Sequence, residues 1–296
     1  MADRRPQLLT LAPRAGALLS EGRPWRTKRI LFGVVGDPVA HSLSPAFQNA
    51  ALDAEDFVAD YVRLQVRAEE LPQFRKAAWG LGLRGFNVTV PHKERMSALC
   101  DAWTPEARRL GAVNTVRVRA DGWTGHNTDV AGVIAALRPW ELLPGFLGVV
   151  LGAGGSARAA AAALLDMGAE RVVVAAREGA SRQAFAAWLR DGGLDGAPVE
   201  LAPWASLDLP RDRTAAAVAC VPEGVSVAPV LRSARGATSF LLDMRYGRQG
   251  VGKRPSGWHR QDGLQVLLHQ GAAAFGWWFE MTPPLQLMER ALAAAL

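Results

Sequence analysis

The chain has 296 residues, of which 49% are hydrophobic, and a formal net charge of +6. This length is sufficient for two domains with separate cores, and no apolar run approaches the roughly 18 residues that would indicate a membrane span. The arginines are scattered without interleaved aromatic residues, so an anionic small substrate and a phosphate-rich cofactor explain the charge as well as nucleic acid does, and we expect no nucleic-acid partner.

The first 28 residues are basic but lack the apolar core of a secretory signal. We expect them to form a disordered or loosely docked extension. A transit peptide is an alternative, which Asp3 and Glu21 weaken. The two cysteines, Cys100 and Cys220, lack metal-ligand spacing and favour a reduced, cytoplasmic protein without a metal site.

Residues 29–128 alternate short apolar strands with helical stretches in βαβαβ order, which favours a mostly parallel sheet covered by helices. Asp121-Gly122 lies between two further apolar segments and predicts a hairpin that adds an antiparallel edge. We interpret this region as a substrate domain. The predicted strands are Ile30–Val35, Tyr61–Val66, Phe86–Val90, Val113–Val118 and Trp123–Gly125.

A lysine follows one of these strands at the point where a helix is predicted to begin, in Asn87-Val-Thr-Val-Pro-His-Lys93. The positive end of a helix dipole disfavours the charged form of a lysine, which suits an acid or base. The alternative is an ordinary solvated lysine at a helix start.

The pattern from residue 129 to about residue 261 predicts a second α/β domain. The apolar strand Phe146–Leu151 leads directly into a glycine-rich turn, and an alanine-rich helix and the strand Arg171–Ala175 follow. Small residues between a strand and a helix let the backbone approach a pyrophosphate, which predicts a Rossmann-like, doubly wound nucleotide domain. A plain tight turn is the alternative. The turn consists of Gly152, Ala153, Gly154, Gly155, Ser156 and Ala157.

Together, these segments resemble the shikimate dehydrogenase family. The motifs occur in the family's order: Gly36–Pro45, Asn87–Lys93, Gly111–Thr115, Asn127–Asp129, Gly152–Ala157 and Gly263–Gln270. The resemblance implies that residues 262–296 pack back on the first domain. The domains would then be an extension at 1–28, a substrate-binding catalytic domain at 29–128 plus 262–296, and an NAD(P)-binding domain at 129–261.

The resemblance also implies a catalytic acid–base pair formed by Lys93 and Asp129. From the residues alone, Asp129 could simply stabilise a helix N-terminus. Ser42 and Ser44 resemble the family's carboxylate-binding serines, although helix capping would also explain them. By the same resemblance, ring hydroxyls of the substrate would be bound by Asn87, Thr89, Asn114, Tyr246 and Gln270.

Cofactor contacts are implied at the glycine-rich turn and at Arg177, Arg182, Met244 and Gly263. The arginines favour NADP, but Glu178 stands where the family has threonine, so NAD is an alternative and the arginines could be solvated surface residues. Two further departures, at 219–222 and 247–254, put cofactor affinity and turnover in question.

The resulting hypothesis is a cytoplasmic, NADPH-dependent shikimate dehydrogenase that reversibly reduces 3-dehydroshikimate to shikimate in the route to chorismate and aromatic amino acids. One alternative is a related enzyme that acts on quinate or aminoshikimate with NAD. Another is a low-activity ligand-binding or regulatory relative. We expect a small-molecule substrate, no membrane partner, and a monomer or homodimer.

Overall fold

A computed structural model of the protein describes residues 8–12, 17–205, 207, 209, 212–231, 238–247 and 255–296. The chain forms two compact units, Met1–Thr128 with Gly271–Leu296, and Asp129–Gln270. Each unit contains a sheet with helices, which confirms the predicted α/β class. From the sequence, we predicted that the second domain ends at residue 261, whereas the second unit of the structure ends at Gln270. The domain limits and their functional labels stay a prediction.

The first unit contains a nine-stranded sheet in the order β3-β2-β1-β5-β4-β6-β8-β9-β7. Its strands are Leu9–Leu11 (β1), Leu18–Ser20 (β2), Arg23–Trp25 (β3), Ile30–Gly36 (β4), Ala59–Gln65 (β5), Leu83–Val88 (β6), Ala102–Trp103 (β7), Thr115–Val118 (β8) and Trp123–His126 (β9). β5, β4 and β6 are parallel, whereas β8 pairs antiparallel with β6 and β9, as the hairpin signal predicted.

Four helices accompany these strands: Ser44–Ala54 (α1), Leu71–Ala77 (α2), Lys93–Ser97 (α3) and Pro105–Leu110 (α4). The core of the unit includes a cluster of aromatic rings in edge-to-face contact. Phe74, Phe86 and Trp123 have ring centroids 5.1–5.9 Å apart and are buried. Such pairs stabilise a core beyond the area that they bury.

The predicted N-terminal extension is not loosely docked where the structure describes it, so that prediction is wrong. β1 pairs parallel with β5, and β1, β2 and β3 form an antiparallel meander. Leu9, Leu11 and Leu18 are buried. Burial of their side chains supplies the hydrophobic free energy that anchors this segment. Residues 1–7 and 13–16 lie outside the described residues.

The second unit contains a six-stranded, fully parallel sheet in the order β12-β11-β10-β13-β14-β15. This order reverses between β10 and β13, as in a doubly wound dinucleotide-binding fold, and it confirms the predicted Rossmann-like class. The strands are Leu147–Leu151 (β10), Arg171–Ala176 (β11), Val199–Pro203 (β12), Ala215–Ala219 (β13), Ser239–Asp243 (β14) and Trp258–Gln261 (β15).

The remaining helices are Asp129–Leu137 (α5), Gly155–Asp166 (α6), Ala180–Arg190 (α7), Leu264–Phe279 (α8) and Leu285–Ala294 (α9). In the first unit, α9 packs against α1, and the end of α8 docks on the sheet. Trp278 Nε1 donates a hydrogen bond to the Val116 carbonyl at 3.0 Å, and Phe279 stacks on Phe57 with centroids 4.2 Å apart. Among the described residues, no helix combines the length and apolarity that crossing a bilayer requires.

Candidate active site

Three of the predicted motifs meet in the first unit at the carboxyl ends of β4 and β6. Because these strands are adjacent and parallel, their ends share one edge of the sheet, which is where ligands bind in open α/β folds. Thr89 N–H donates to the Val35 carbonyl at 2.9 Å, and Val113 N–H donates to the Lys93 carbonyl at 2.9 Å. These bonds join the segments after β4, after β6 and before β8.

A buried hydrogen-bond network fixes Asn87. The Tyr61 hydroxyl donates to Asn87 Oδ1 at 2.8 Å. Asn87 Nδ2 donates in turn to Thr115 Oγ1 at 3.0 Å and to the Asn114 carbonyl at 3.3 Å. All four residues are buried, so the amide is held in one orientation.

The same network holds Asn114. Its Oδ1 accepts the Thr128 backbone N–H at 2.8 Å and the Thr115 hydroxyl at 2.9 Å. Its Nδ2 donates to Thr128 Oγ1 at 3.0 Å. Hydrogen bonds to Thr115 and Thr128 therefore hold the two predicted substrate asparagines in one network.

Ser42 and Ser44 lie on the segment that leads into α1, and both are buried. Ser44 N–H donates to Ser42 Oγ at 3.3 Å, which leaves the Ser42 hydroxyl proton directed elsewhere. Arg63 Nε donates to the Ser42 carbonyl at 2.8 Å. No side-chain hydrogen bond caps α1 at its N-cap Leu43, but Ser42 Oγ satisfies the N–H of Ser44, the first residue of the helix, so Ser42 also supports the helix start.

The two predicted catalytic residues each stand at the start of a helix, as expected. Lys93 is half-buried and begins α3 in the first unit. Asp129 is buried and begins α5 in the second unit. Because they belong to different units, their action as a pair stays a prediction.

In the second unit, the glycine-rich turn joins β10 to α6. Gly152 has φ +111°, and a Cβ there would lie 2.4 Å from the Cys220 carbonyl oxygen, so only glycine fits. Gly154 is the N-cap of α6, without a side-chain cap, and a Cβ there would meet nothing within 4 Å. An uncapped helix start facing open space is suited to a pyrophosphate, and Ala153, Gly155, Ser156 and Ala157 complete the turn.

Met244 and Gly263 contact one another at the carboxyl ends of the strands of the same sheet. Met244 N–H donates to the Ala219 carbonyl at 3.0 Å, and a Cβ on Gly263 would lie 2.2 Å from the Met244 carbonyl oxygen. Tyr246 is half-buried two residues further on. Gln270 lies on α8, where its Nε2 donates to the Leu267 carbonyl at 2.9 Å.

The arginines predicted to select the cofactor differ in their surroundings. Arg177 is exposed immediately after β11. Arg182 Nη1 forms a short ion pair with Glu178, one helical turn away. The carboxylate that departs from the family pattern is therefore ion-paired with a neighbouring guanidinium. The departing loop at 247–254 lies, apart from Gly247, outside the described residues.

Two titratable groups near the first-unit site have displaced pKa values. Burial lowers the pKa of His126, with Arg117 acting in the same direction and Glu106 opposing. Burial, with help from the Asp101 charge, raises the pKa of the Cys100 thiol to about 12. Within the described ranges, no cluster of histidine, cysteine, aspartate or glutamate side chains could hold a metal ion.

The sequence reasoning did not identify Tyr61, Arg63, Thr115 or Thr128 as site residues. Thr115 and Thr128 lie inside the motifs Gly111–Thr115 and Asn127–Asp129, so their position in the sequence could have indicated a role in the site. Tyr61 and Arg63 lie in the middle of β5, where nothing local distinguishes a residue that reaches the site from one that packs in the core.

Comparisons with known proteins agree with this geometry. Residues 34–116 match the family model described as shikimate dehydrogenase substrate binding domain, and residues 263–293 match shikimate 5'-dehydrogenase C-terminal domain. The chain is 40% identical over 269 residues to a shikimate dehydrogenase (NADP(+)) of Anaeromyxobacter sp. strain Fw109-5, covering 89% of this chain and 96% of that protein.

Solved structures show the same fold. The shikimate 5-dehydrogenase of Thermus thermophilus, in complex with NADP(H) and shikimate, has a TM-score of 0.72 at 31% identity, covering 90% of this chain and 100% of that one. A 5-ketofructose reductase of Gluconobacter sp. strain CHM43 has a TM-score of 0.74 at 27% identity, covering 91% and 99%. The motifs, the two sheets and the curated relative together confirm the resemblance: the chain belongs to the shikimate dehydrogenase family.

Proposed function

We propose that the protein is an NADP-dependent shikimate dehydrogenase, which reversibly reduces 3-dehydroshikimate to shikimate. The observation that carries this function is the 40% identity to a curated enzyme of that name over 96% of its length. In this chain, hydrogen bonds to neighbouring residues hold the Asn87 and Asn114 amides in fixed orientations, which suits binding of a polyhydroxylated ring.

The second unit fits the cofactor. The glycine-rich turn leaves open space beside Gly154 at an uncapped helix start, which suits the pyrophosphate, and Met244 and Gly263 lie at the same edge of the sheet. NADPH, when bound, supplies the hydride for the ketone carbon.

Selection of NADP over NAD follows from charge in this proposal. The exposed Arg177 guanidinium stands at the end of β11, where it can face a 2′-phosphate. Glu178 would repel that phosphate, but its ion pair with Arg182 offsets the repulsion. NADP is therefore the preferred cofactor.

The first unit holds the substrate. We assign the carboxylate to the Ser42 and Ser44 hydroxyls, whose segment Arg63 fixes by its bond to the Ser42 carbonyl. By the resemblance to the family, polar side chains bind the ring hydroxyls of the substrate. These are Asn87, Thr89, Asn114, Tyr246 and Gln270.

Lys93 moves the proton. During reduction, Lys93 Nζ donates a proton to the carbonyl oxygen as that oxygen becomes a hydroxyl, and in the reverse direction the amine takes the proton back. We assign to Asp129, buried at the start of α5, the role of orienting the lysine side chain. Because Val113 binds the Lys93 carbonyl, the lysine backbone is fixed relative to the asparagine network.

The function is tested by following reduced-nicotinamide absorbance with shikimate or quinate and with NADP or NAD, in four parallel assays. Turnover with shikimate and NADP is the expected result. Preference for quinate or NAD would redirect the assignment to the Ser42 segment or to Glu178. Turnover in none of the four, with retained shikimate binding, would contradict the enzymatic function.

The cellular setting is also part of the proposal. We propose a cytoplasmic protein that acts on a small molecule, without nucleic-acid or membrane partners, as a monomer or homodimer. Cys100 and Cys220 form no disulfide, consistent with a reducing compartment. Light scattering on the purified protein distinguishes monomer from dimer.

A further inference from the structure

A buried ionic cluster at the end of β14 is not used in the mechanism above. Asp243 is buried with 1% of its side chain exposed. Its Oδ1 accepts hydrogen bonds from Arg245 Nε at 2.7 Å and from the Arg245 backbone N–H at 3.2 Å. Its Oδ2 accepts hydrogen bonds from Arg245 Nη2 at 2.7 Å and from Arg260 Nη2 at 2.8 Å. The fork of Arg245 thus sits bidentate on a carboxylate, in the geometry that fixes a guanidinium most firmly.

The remaining guanidinium nitrogen of Arg245 points at a backbone turn. Arg245 Nη1 donates to the Val225 carbonyl at 2.8 Å and to the Pro222 carbonyl at 3.3 Å. Val225 N–H also donates to the Pro222 carbonyl at 3.3 Å, so residues 222–225 form a turn with the left-handed Gly224 inside it. One nitrogen therefore binds both ends of this turn.

The turn continues directly from the cofactor site. Cys220 N–H donates to the Leu151 carbonyl at 2.8 Å, and its own carbonyl oxygen would be 2.4 Å from a Cβ on Gly152. Residues 219–222, Ala-Cys-Val-Pro, carry no strongly polar side chain. A segment without polar side chains has fewer means of fixing its own conformation.

We infer that Arg245 is a positioning residue for cofactor binding: held on Asp243, it fixes the 220–225 segment against the Gly152 turn by binding the backbone carbonyls of Pro222 and Val225. The inference deepens the proposed function and rests on it for the identity of the cofactor.

Arg260 provides a matched control because it donates to the same Asp243 oxygen from the neighbouring strand β15. Arg245→Lys keeps a cation for Asp243 but cannot bind the carboxylate bidentately and both turn carbonyls at once. We expect Arg245→Lys to raise the dissociation constant for NADPH about 5- to 20-fold, a change of about 1–2 kcal/mol. Arg260→Lys should change it less than twofold, and the KM for shikimate should stay within twofold in both.

The readouts are NADPH binding by fluorescence titration, thermal midpoints, and KM for each substrate. Equal NADPH affinity in the two variants would overturn the inference. It would also be overturned if Arg245→Lys weakened the binding of shikimate as much as the binding of NADPH. Arg245→Gln, which also removes the charge, gives the second test and should weaken NADPH binding further. If the parent binds NADPH but does not oxidise shikimate, the proposed function fails while the binding comparison still decides the role of Arg245.

Discussion

Replacing Tyr61 with phenylalanine removes one buried hydroxyl and leaves the ring in place. The ring keeps its neighbour Trp278, whose centroid is 6.3 Å away, while Asn87 Oδ1 loses the donor at 2.8 Å. Leaving a buried acceptor unsatisfied costs about 1–3 kcal/mol. For a folding unit of this size, about 2 kcal/mol corresponds to a fall of about 4–8 °C in thermal midpoint.

The same change should affect the substrate more than the cofactor. An amide that loses one of its partners can turn away from the ring hydroxyl, so we expect the KM for shikimate to rise about 3- to 10-fold, or about 0.7–1.4 kcal/mol. The KM for NADPH should stay within twofold. Steady-state kinetics and calorimetry measure both effects.

A double-mutant cycle isolates the contact. Tyr61→Phe, Asn87→Ala and the double variant should show a coupling energy of at least about 0.5 kcal/mol in urea unfolding, because the two side chains bind directly. Coupling near zero, or an unchanged KM in Tyr61→Phe, would refute the claim that the tyrosine fixes Asn87.

Four other outcomes follow from the structure. Lys93→Met should lower turnover at least about 100-fold, with NADPH affinity within twofold in a binding titration. Gly152→Ala, with φ +111° and a clash at 2.4 Å, should lose both stability and NADPH affinity, whereas Gly154→Ala should keep the thermal midpoint of the parent. Because the Cys100 pKa is about 12, iodoacetamide at mildly alkaline pH should leave that thiol unmodified until denaturant is added, as read by peptide mass spectrometry. Burial lowers the pKa of His126 in the folded state, so the unfolded chain binds more protons than the folded one just below about pH 6.5. The free energy of unfolding should therefore fall as the pH drops through that value. His126→Gln should weaken this pH dependence, as measured by the urea midpoint.

The strands that could be predicted are the buried ones, because a buried strand appears in the sequence as a continuous run of apolar residues. The predicted strands Phe146–Leu151 and Arg171–Ala175 differ from β10 and β11 by one residue each. Both strands lie inside a parallel sheet, where both faces are covered and the alternation of an exposed strand is absent. Trp258–Gln261 was missed because this edge strand carries polar side chains.

The site was predictable as far as local motifs extend. Asn87 and Asn114, which the motifs indicated, come together in one hydrogen-bond network, whereas Thr128 was not identified although it stands in a motif. Tyr61 could not be found this way, because it meets Asn87 across 26 positions of sequence and only the pairing of β5, β4 and β6 brings them together. Arg245 is similar, since its partners lie 20 and 23 positions away in a loop.

The N-terminal meander, β1 to β3, limits how far the chain can be shortened at its N-terminus without causing aggregation. Pro24 lies in the outermost strand β3 and is exposed, and a proline cannot donate a hydrogen bond to an incoming strand. A chain shortened to begin near residue 29 would lose β3 with its proline and also β1, which pairs with β5. The edge of β5 at Leu64 would then expose unpaired backbone N–H and C=O groups to other molecules. Such a truncation, attractive if the first residues are taken for a dispensable tail, should yield an aggregating protein rather than a better-behaved one.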